Sequence, residues 1–408
     1  MTTPSSAVEN PKLRRALTTP LLALYGLGVT VGAGIYVLVG ATAQAAGAYA
    51  SFSFLLAAIV VSLTALSYAE LATRYPVSAG EAAYVEAGFG TKSLAVVVGL
   101  AVASSGMISA AAVAMGAGSY LHGLIGLPVD ILTIVVVMVM GLIAMWGIAE
   151  SVIVASVITV IEILGLLFVI AWGLWFADPQ GVTPKEMIPS MDADVWSGIF
   201  AASLLAFFAF VGFEDMANVA EEVKEPAKTI PRAIFWTLVV ATLLYIGTSA
   251  TVLMVVSLDT LSESAAPLLL VFADASPVVK QGFGMVAVVA TVNGVLIQTI
   301  MASRILYGLA DRGELPPVLA RISPKTKTPV VATAVVMSLI LLLTLTLPID
   351  VLAERTSQIV LFVFILVNVS LIRLKWKPAS ETPHFRVPLL VPVLGVITSI
   401  LLFAAGFL

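Results

Sequence analysis

Residues 19–40 read TPLLALYGLGVTVGAGIYVLVG, an apolar run long enough to cross a bilayer as a helix that carries glycine at 26, 28, 32, 34 and 40. Each glycine costs a helix up to ~1 kcal/mol relative to alanine, so their concentration needs a reason. One reason is packing, because Gly28 and Gly32 form a GxxxG pair and small residues let membrane helices approach closely. The other is an unwound centre at Val31-Gly32-Ala33-Gly34 whose freed amides and carbonyls line a cavity, since a membrane tolerates open backbone only there. A second stretch has the same character. Residues 197–233 read SGIFAASLLAFFAFVGFEDMANVAEEVKEPAKTIPRA and place Gly212, Glu214 and Asp215 inside an apolar helix, where a carboxylate costs about 3 kcal/mol on insertion scales unless it meets a wet cavity or a partner. The plainer reading makes Glu214 and Asp215 the start of a polar cap that continues into Glu221 and Glu222.

The rest of the chain fits a membrane protein and little else. Of its 408 residues 60% are hydrophobic and 11% charged, and the mean hydropathy is +1.09. The formal charge of −4 leaves no basic footprint for nucleic acid. The absence of cysteine removes disulfides, thiolate metal sites and cysteine nucleophiles. His122 and His384 stand far apart next to segment ends, which argues against a histidine metal site or a Ser-His triad. No catalytic residue, metal ligand or cofactor is expected, and the chain does not read as an enzyme.

Apolar stretches predict spans at about 17–40, 51–73, 93–123, 130–149, 151–177, 195–220, 232–257, 279–310, 329–348, 350–372 and 387–408. The polar residues 1–16 read as a cytoplasmic tail, with no short apolar core and cleavage site of a signal peptide. With that end inside, 17 of the 20 lysines and arginines fall in inner segments, as positive-inside orientation requires. Lys185, Lys280 and Arg355 are the exceptions. The connectors around 74–92, 178–194 and 311–328 are too short to hold a catalytic domain. The expected setting is a multi-pass protein of the cell membrane, with the lipid bilayer as its standing partner.

The first and sixth spans lie five helices apart. Five is odd, so a second set of five repeats the first upside down, and paired broken helices in corresponding halves point to a transport site at the midplane. Helices resuming near Gly34 and Glu214 would offer unpaired amides and positive dipole ends to a carboxylate. The opposite ends, near Thr30–Val31 and Ala209–Val211, would offer carbonyls to an ammonium group. A zwitterionic amino acid satisfies both poles. Phe207, Phe208 and Phe210 are placed to close over it, or to serve as packing or lipid-facing rings.

GLGVTVGAGIYVLVG (26–40), ALSYAELATRYPVSAGEAAYVEAGFG (65–90), FFAFVGFEDMANVAEEVKEPAKTIPRAI (207–234) and SRILYGLADRGELPPVLARISPKTKTPVVAT (303–333) resemble the amino acid–polyamine–organocation permeases, in order and spacing over nearly the whole chain. The sixth-span wording is most similar to bacterial cationic amino acid transporter-like permeases. The resemblance implies an all-α integral membrane protein with a leucine-transporter-type fold: broken helices 1 and 6, inverted five-helix repeats at 17–178 and 190–378, and an eleventh helix at 386–408. Relatives often have twelve spans. It also implies a substrate carboxylate on the Gly32, Ala33 and Gly34 amides and an amine on carbonyls near Val31 and across Phe208 to Val211. Phe208 matches the family's gating aromatic, and Glu214 its helix-six carboxylate implicated in gating or proton response.

One position departs from the family. Where members often carry a lysine in the fifth helix, SVIVASVITVIEILGLLFVIAWG (151–173) has Glu162, about twelve residues and hence ~18 Å into its span. Three roles are open to it: proton coupling, a structural hydrogen bond to a neighbouring helix, or a cation ligand. Asn293 and Gln298 are candidates for the pathway or for interhelical bonds, Ser104, Ser105 and Ser109 for packing, Glu70 and Arg74 for a local ion pair, and Arg304 for snorkelling or a gate contact. The leading expectation is a secondary transporter of amino acids working by alternating access, with H+ as coupling ion. The alternatives are a polyamine or organic amine exchanger and, in another class, a non-transporting amino acid sensor or channel-like conduit.

Overall fold

The computed structural model describes residues 17–77, 80–146, 152–220, 223–324, 326, 328–377 and 383–406. The expected N-terminal tail at 1–16, and Glu221, Glu222, Lys325 and Lys327, lie outside the described residues. In chain order the helices are α1 Thr19–Thr30, α2 Ala33–Ala46, α3 Ala50–Arg74, α4 Gly80–Phe89, α5 Lys92–Ile125, α6 Val129–Trp146, α7 Val152–Trp175, α8 Ala193–Phe208, α9 Asp215–Asn218, α10 Pro226–Val255, α11 Leu258–Ser262, α12 Pro277–Asp311, α13 Val330–Thr346, α14 Ile349–Lys375 and α15 Leu390–Ala405. All eleven expected segments are helical over most of their described length. The first is divided into α1 and α2 and the sixth into α8 and α9; α4 and α11 are short helices in connectors.

Local sequence sets where these helices start and stop. Proline at the first turn opens α1, α10 and α12, where the missing N–H has no intrahelical partner to lose. The Asp192 carboxylate accepts from the Asp194 amide ahead of α8 at 3.2 Å, a helix N-cap. Gly126 closes α5 in the left-handed region at φ 73°, the usual C-terminal stop.

The longest helices, α5 with 34 residues and α12 with 35, exceed the ~20 needed to cross and form the most extensive helix pair in the protein. Small residues make this possible: a Cβ on Gly106 would meet the Met301 methyl at 2.7 Å and one on Gly294 the Val113 side chain at 3.3 Å. Outward-facing Val157, Leu164 and Phe168 on α7 and Ile131, Val135 and Leu142 on α6 are exposed. In a membrane protein such residues form the lipid-facing surface, since lipid gives no reason to hide them.

Basic residues gather at one end, and a network ties that end together. Lys375 Nζ contacts Glu70 Oε2 at 2.6 Å and Oε1 at 2.8 Å, the Val387 amide donates to Glu70 Oε2 at 2.7 Å, and Lys375 donates to the Val387 carbonyl at 2.6 Å. Arg74 is not the partner of Glu70, contrary to the local pair expected from their spacing. Its guanidinium reaches the Leu374 carbonyl at 3.4 Å and lies over the Tyr75 ring. A buried carboxylate accepts the strongest donors that packing brings to it, and the end of α14 supplies an ammonium group. Glu70 is buried and the Lys375 side chain only 16% exposed. Breaking such a pair strands a desolvated charge, so Glu70→Gln should destabilise the protein by about 3 kcal/mol, read as a lowered midpoint in detergent thermal unfolding. Arg74→Gln should have a smaller effect.

Candidate functional site

α1 ends at Thr30 with the Val31 amide bonded to the Leu27 carbonyl at 2.6 Å. Gly32 then takes φ −51° and ψ −132°, and α2 begins at Ala33. The break is therefore narrower than the four residues expected, and Gly34 already belongs to α2. The glycines serve both purposes weighed from sequence. A Cβ on Gly28 would meet the Thr159 hydroxyl oxygen of α7 at 2.1 Å, and one on Gly34 the Ala209 Cα at 2.3 Å: these are packing glycines. A Cβ on Gly32 would meet nothing closer than the carbonyl oxygens of Gly28, Val29 and Ala290, at 3.9–4.0 Å. Gly32 is thus buried in ordinary packing contact with carbonyls from α1 and α12, beside the first turn of α2, whose leading amides have no intrahelical acceptor.

The sixth span breaks against the first. After Phe208 the chain makes successive tight turns, with Ala209, Phe210 and Val211 amides bonded to the Ala206, Phe207 and Phe208 carbonyls. Gly212 lies at φ 118°, in the region that favours glycine. A Cβ there would meet Val29 Cγ1 at 2.6 Å and the Val29 carbonyl oxygen at 3.0 Å. The two interruptions therefore touch at Gly34–Ala209 and at Gly212–Val29.

Two details differ from the sequence expectation. First, α9 has only four residues, too few to add up to a useful dipole, and the Gly212 amide is taken by Glu214 Oε2 at 2.9 Å. The carboxylate of the chain itself, close in sequence, occupies the donor that a substrate was expected to find. Second, the Tyr245 hydroxyl of α10 makes a bifurcated bond to the Thr30 carbonyl at 2.6 Å and the Ala209 carbonyl at 2.7 Å. Both carbonyls were expected to be open to an ammonium group. Tyr245 had no signal in the sequence, since a tyrosine in an apolar helix reads as packing until its hydroxyl is seen spanning two helix ends. Tyr36 and Tyr120 act alike: Tyr36 donates to the Glu162 backbone carbonyl at 2.9 Å, and Tyr120 to the Tyr36 carbonyl at 2.5 Å.

The aromatic candidates separate. Phe207 packs edge-on to Phe364 at 5.7 Å between centroids and Phe210 on Tyr245 at 4.9 Å. Phe208 is buried yet makes no ring contact among the described residues. Val31 and Glu214 are buried and Val211 half-buried. Glu162 is fully buried, with neither carboxylate oxygen hydrogen-bonded in good geometry among the described residues; the Asn293 amide of α12 stands beside it. Gln298 is buried with its Oε1 unpartnered next to Gly106, and Ser105 bonds back to the Val102 carbonyl. Arg304 is exposed.

A family model described as "Amino acid permease" matches residues 17–408. The chain belongs to the amino acid permease family. The permease is 31% identical over 398 residues to the branched-chain amino acid permease BcaP of Bacillus subtilis, covering 92% of this chain and 84% of that protein. It is 32% identical over 400 residues to the vacuolar cationic amino acid transporter 2 of Arabidopsis thaliana, covering 91% of this chain and 61% of the plant protein. Its architecture matches a crystal structure of the Eremococcus coleocola manganese transporter with a TM-score of 0.64, over 98% of this chain and 90% of that one, at 16% identity. The fold of the permease is thus the leucine-transporter type, and the protein is a multi-pass membrane transport protein.

Tyr245→Phe keeps the ring that packs on Phe210 but leaves two buried carbonyls without their donor, a loss of about 1–3 kcal/mol. The variant should melt earlier in detergent. Gly212→Ala is strained at its φ and collides with Val29, and should be the more damaging of the two in the same assay.

Proposed function

We propose that the permease moves amino acids across the cell membrane by alternating access, with the substrate held at the paired helix breaks and a proton as coupling ion. The observation that carries this reading is the facing pair of helix breaks, where carbonyls of Gly28, Val29 and Ala290 lie beside Gly32 and the first amides of α2. Acceptors on one side suit an ammonium group, and amides at a helix start suit a carboxylate. Gly32, Ala33 and Gly34 take the carboxylate, while Val31 and the turn from Phe207 through Phe208, Phe210 and Val211 to Gly212 form the facing wall. With the Thr30 and Ala209 carbonyls engaged by Tyr245, the amine is assigned to the Gly28, Val29 and Ala290 oxygens. Phe208, without a ring partner, closes the site. Relatives named for branched-chain and for cationic amino acids support the substrate class.

Glu162 is the coupling residue in this reading. Its carboxyl group sits without a good hydrogen bond between the first broken helix and α12, so a proton gained or lost there changes the cost of holding α1 and α7 together. The repeats 17–178 and 190–378 rock against each other, and the bias of basic residues supports a cytoplasmic N-terminus.

Proteoliposomes should accumulate a labelled neutral or cationic amino acid, faster under an inward-directed proton gradient. Failure to bind or take up any common amino acid would overturn the assignment. Glu162→Gln should reduce gradient-driven accumulation to background while leaving amino acid exchange intact; retained accumulation would remove Glu162 from coupling.

A further inference from the structure

Glu81 lies in α4, the connector helix at the basic end, outside the membrane spans. It is nonetheless 4% exposed. Its Oε1 accepts from the Tyr68 hydroxyl of α3 at 3.4 Å, and it interacts electrostatically with Glu214 across the α4–α9 contact. Glu214 in turn adjoins Asp215, and both are buried. Three carboxylates from two separate elements therefore converge where α4 covers the end of the broken sixth span. Tyr84, also on α4, points to the same place: it is fully buried, its hydroxyl has no hydrogen-bond partner among the described residues, and the charge of Glu81 reaches it.

The basic groups nearby are committed elsewhere. From α14, Lys375 holds Glu70, Arg373 lies over the Phe89 ring, and Lys377 bonds the Ala87 carbonyl. From α3, Arg74 bonds the Leu374 carbonyl, and Lys92 at the start of α5 is exposed. Among the described residues no cation bonds Glu81, so its ionisation sets a negative charge beside Glu214 with the Tyr68 hydroxyl as its side-chain donor. On the other flank of α4 a cavity of about 280 Å³, lined by Ala82, Glu86, Lys92, Ala95, Arg312 and Glu314, opens to solvent. It leaves room beside α4 for the helix to shift.

We propose that Glu81 is a proton-operated latch on the basic-side gate: protonated, it lets α4 close over the Glu214–Asp215 turn, and ionised, it drives α4 off that turn toward the adjoining cavity. The inference deepens the alternating-access reading and rests on it, but requires neither a particular substrate nor Glu162. The proton released goes to cytoplasmic water, so a rising cytoplasmic pH opens the gate. Burial pushes the Glu81 carboxyl up to about 7, against its own backbone amide and the Tyr68 bond, from an ordinary 4.5. A value raised in the closed state means that the group's support for closure is complete below about 4.5 and is lost as pH climbs through about 7.

The chain has no cysteine, so a single Ala217→Cys, at a position 2% exposed in α9, reports on the gate without background. Labelled with a polar maleimide in nanodiscs, and with rates corrected for thiolate fraction using a free thiol, it should react several-fold faster at about pH 8 than at about pH 6. Glu81→Gln should hold the rate at its low-pH value throughout. Tyr68→Phe, which removes a donor to the ionised form, should move the midpoint upward by a few tenths of a unit and serves if the first variant folds poorly. A pH-independent rate in the parent, or an unchanged pH response in Glu81→Gln, overturns the latch. The same response persisting in Glu162→Gln supports it as separate from the coupling proton; a response lost there and kept in Glu81→Gln overturns the latch and leaves the transport reading standing.

Discussion

A peptide group in hydrocarbon has no water to bond, and each one left unpaired costs several kcal/mol. A chain that interrupts two membrane helices must therefore cover the interruptions with protein, and here each covers the other. Gly34 lets α2 lie directly on Ala209, Gly212 lets the turn after α8 lie on Val29, and one tyrosine hydroxyl bonds the carbonyls of Thr30 and Ala209 together. Gly32 lies between Val29 and Gly34, with carbonyl acceptors packed on one side and helix-start amides beside it. The proposed site is built from the peptide groups that these contacts do not claim.

The same contacts make the broken helices a mechanical unit. On the basic end Leu17, just before α1, forms a bridge to Val223, and the Lys224 amide donates to the Leu17 carbonyl at 2.9 Å. The lower parts of the first and sixth spans are thus joined both at the breaks and at their ends. They lie against α3, α4 and α10, and α4 in turn packs on α5 and α14, which with α12 gather on the small-residue face of α5. The short α9, with Glu214 just before it and Asp215 at its start, lies at the end of the broken sixth span. Glu81 on α4 meets it from the side, and the Glu70–Lys375 pair fixes α3 to α14 behind it.

How much of this could be read beforehand follows from the range of each interaction. The eleven helical segments and the pairing of the first with the sixth are properties of apolar runs and glycine positions, and they needed no partner to be recognised. Glu162 could be singled out because a carboxylate deep in an apolar run is conspicuous by itself. The expected Glu70–Arg74 pair failed because spacing along a helix allows a contact without choosing it, and Lys375, 305 positions away, was the better donor. Tyr245 went unnoticed for the matching reason: a hydroxyl acquires its role from two helix ends that only folding brings together.

The sequence by itself determined that this chain crosses the membrane many times, that two helices are weakened at glycine, and that carboxylates sit where lipid would punish them. Those are local facts, written in hydropathy and in the absence of a Cβ. The tertiary structure alone decided which peptide groups at the breaks are claimed by Tyr245 and Glu214. It also decided that Glu81, an unremarkable acid in a connector, is buried against Glu214. Burial and hydrogen-bond partnership depend on residues distant in the chain, and no local pattern encodes them.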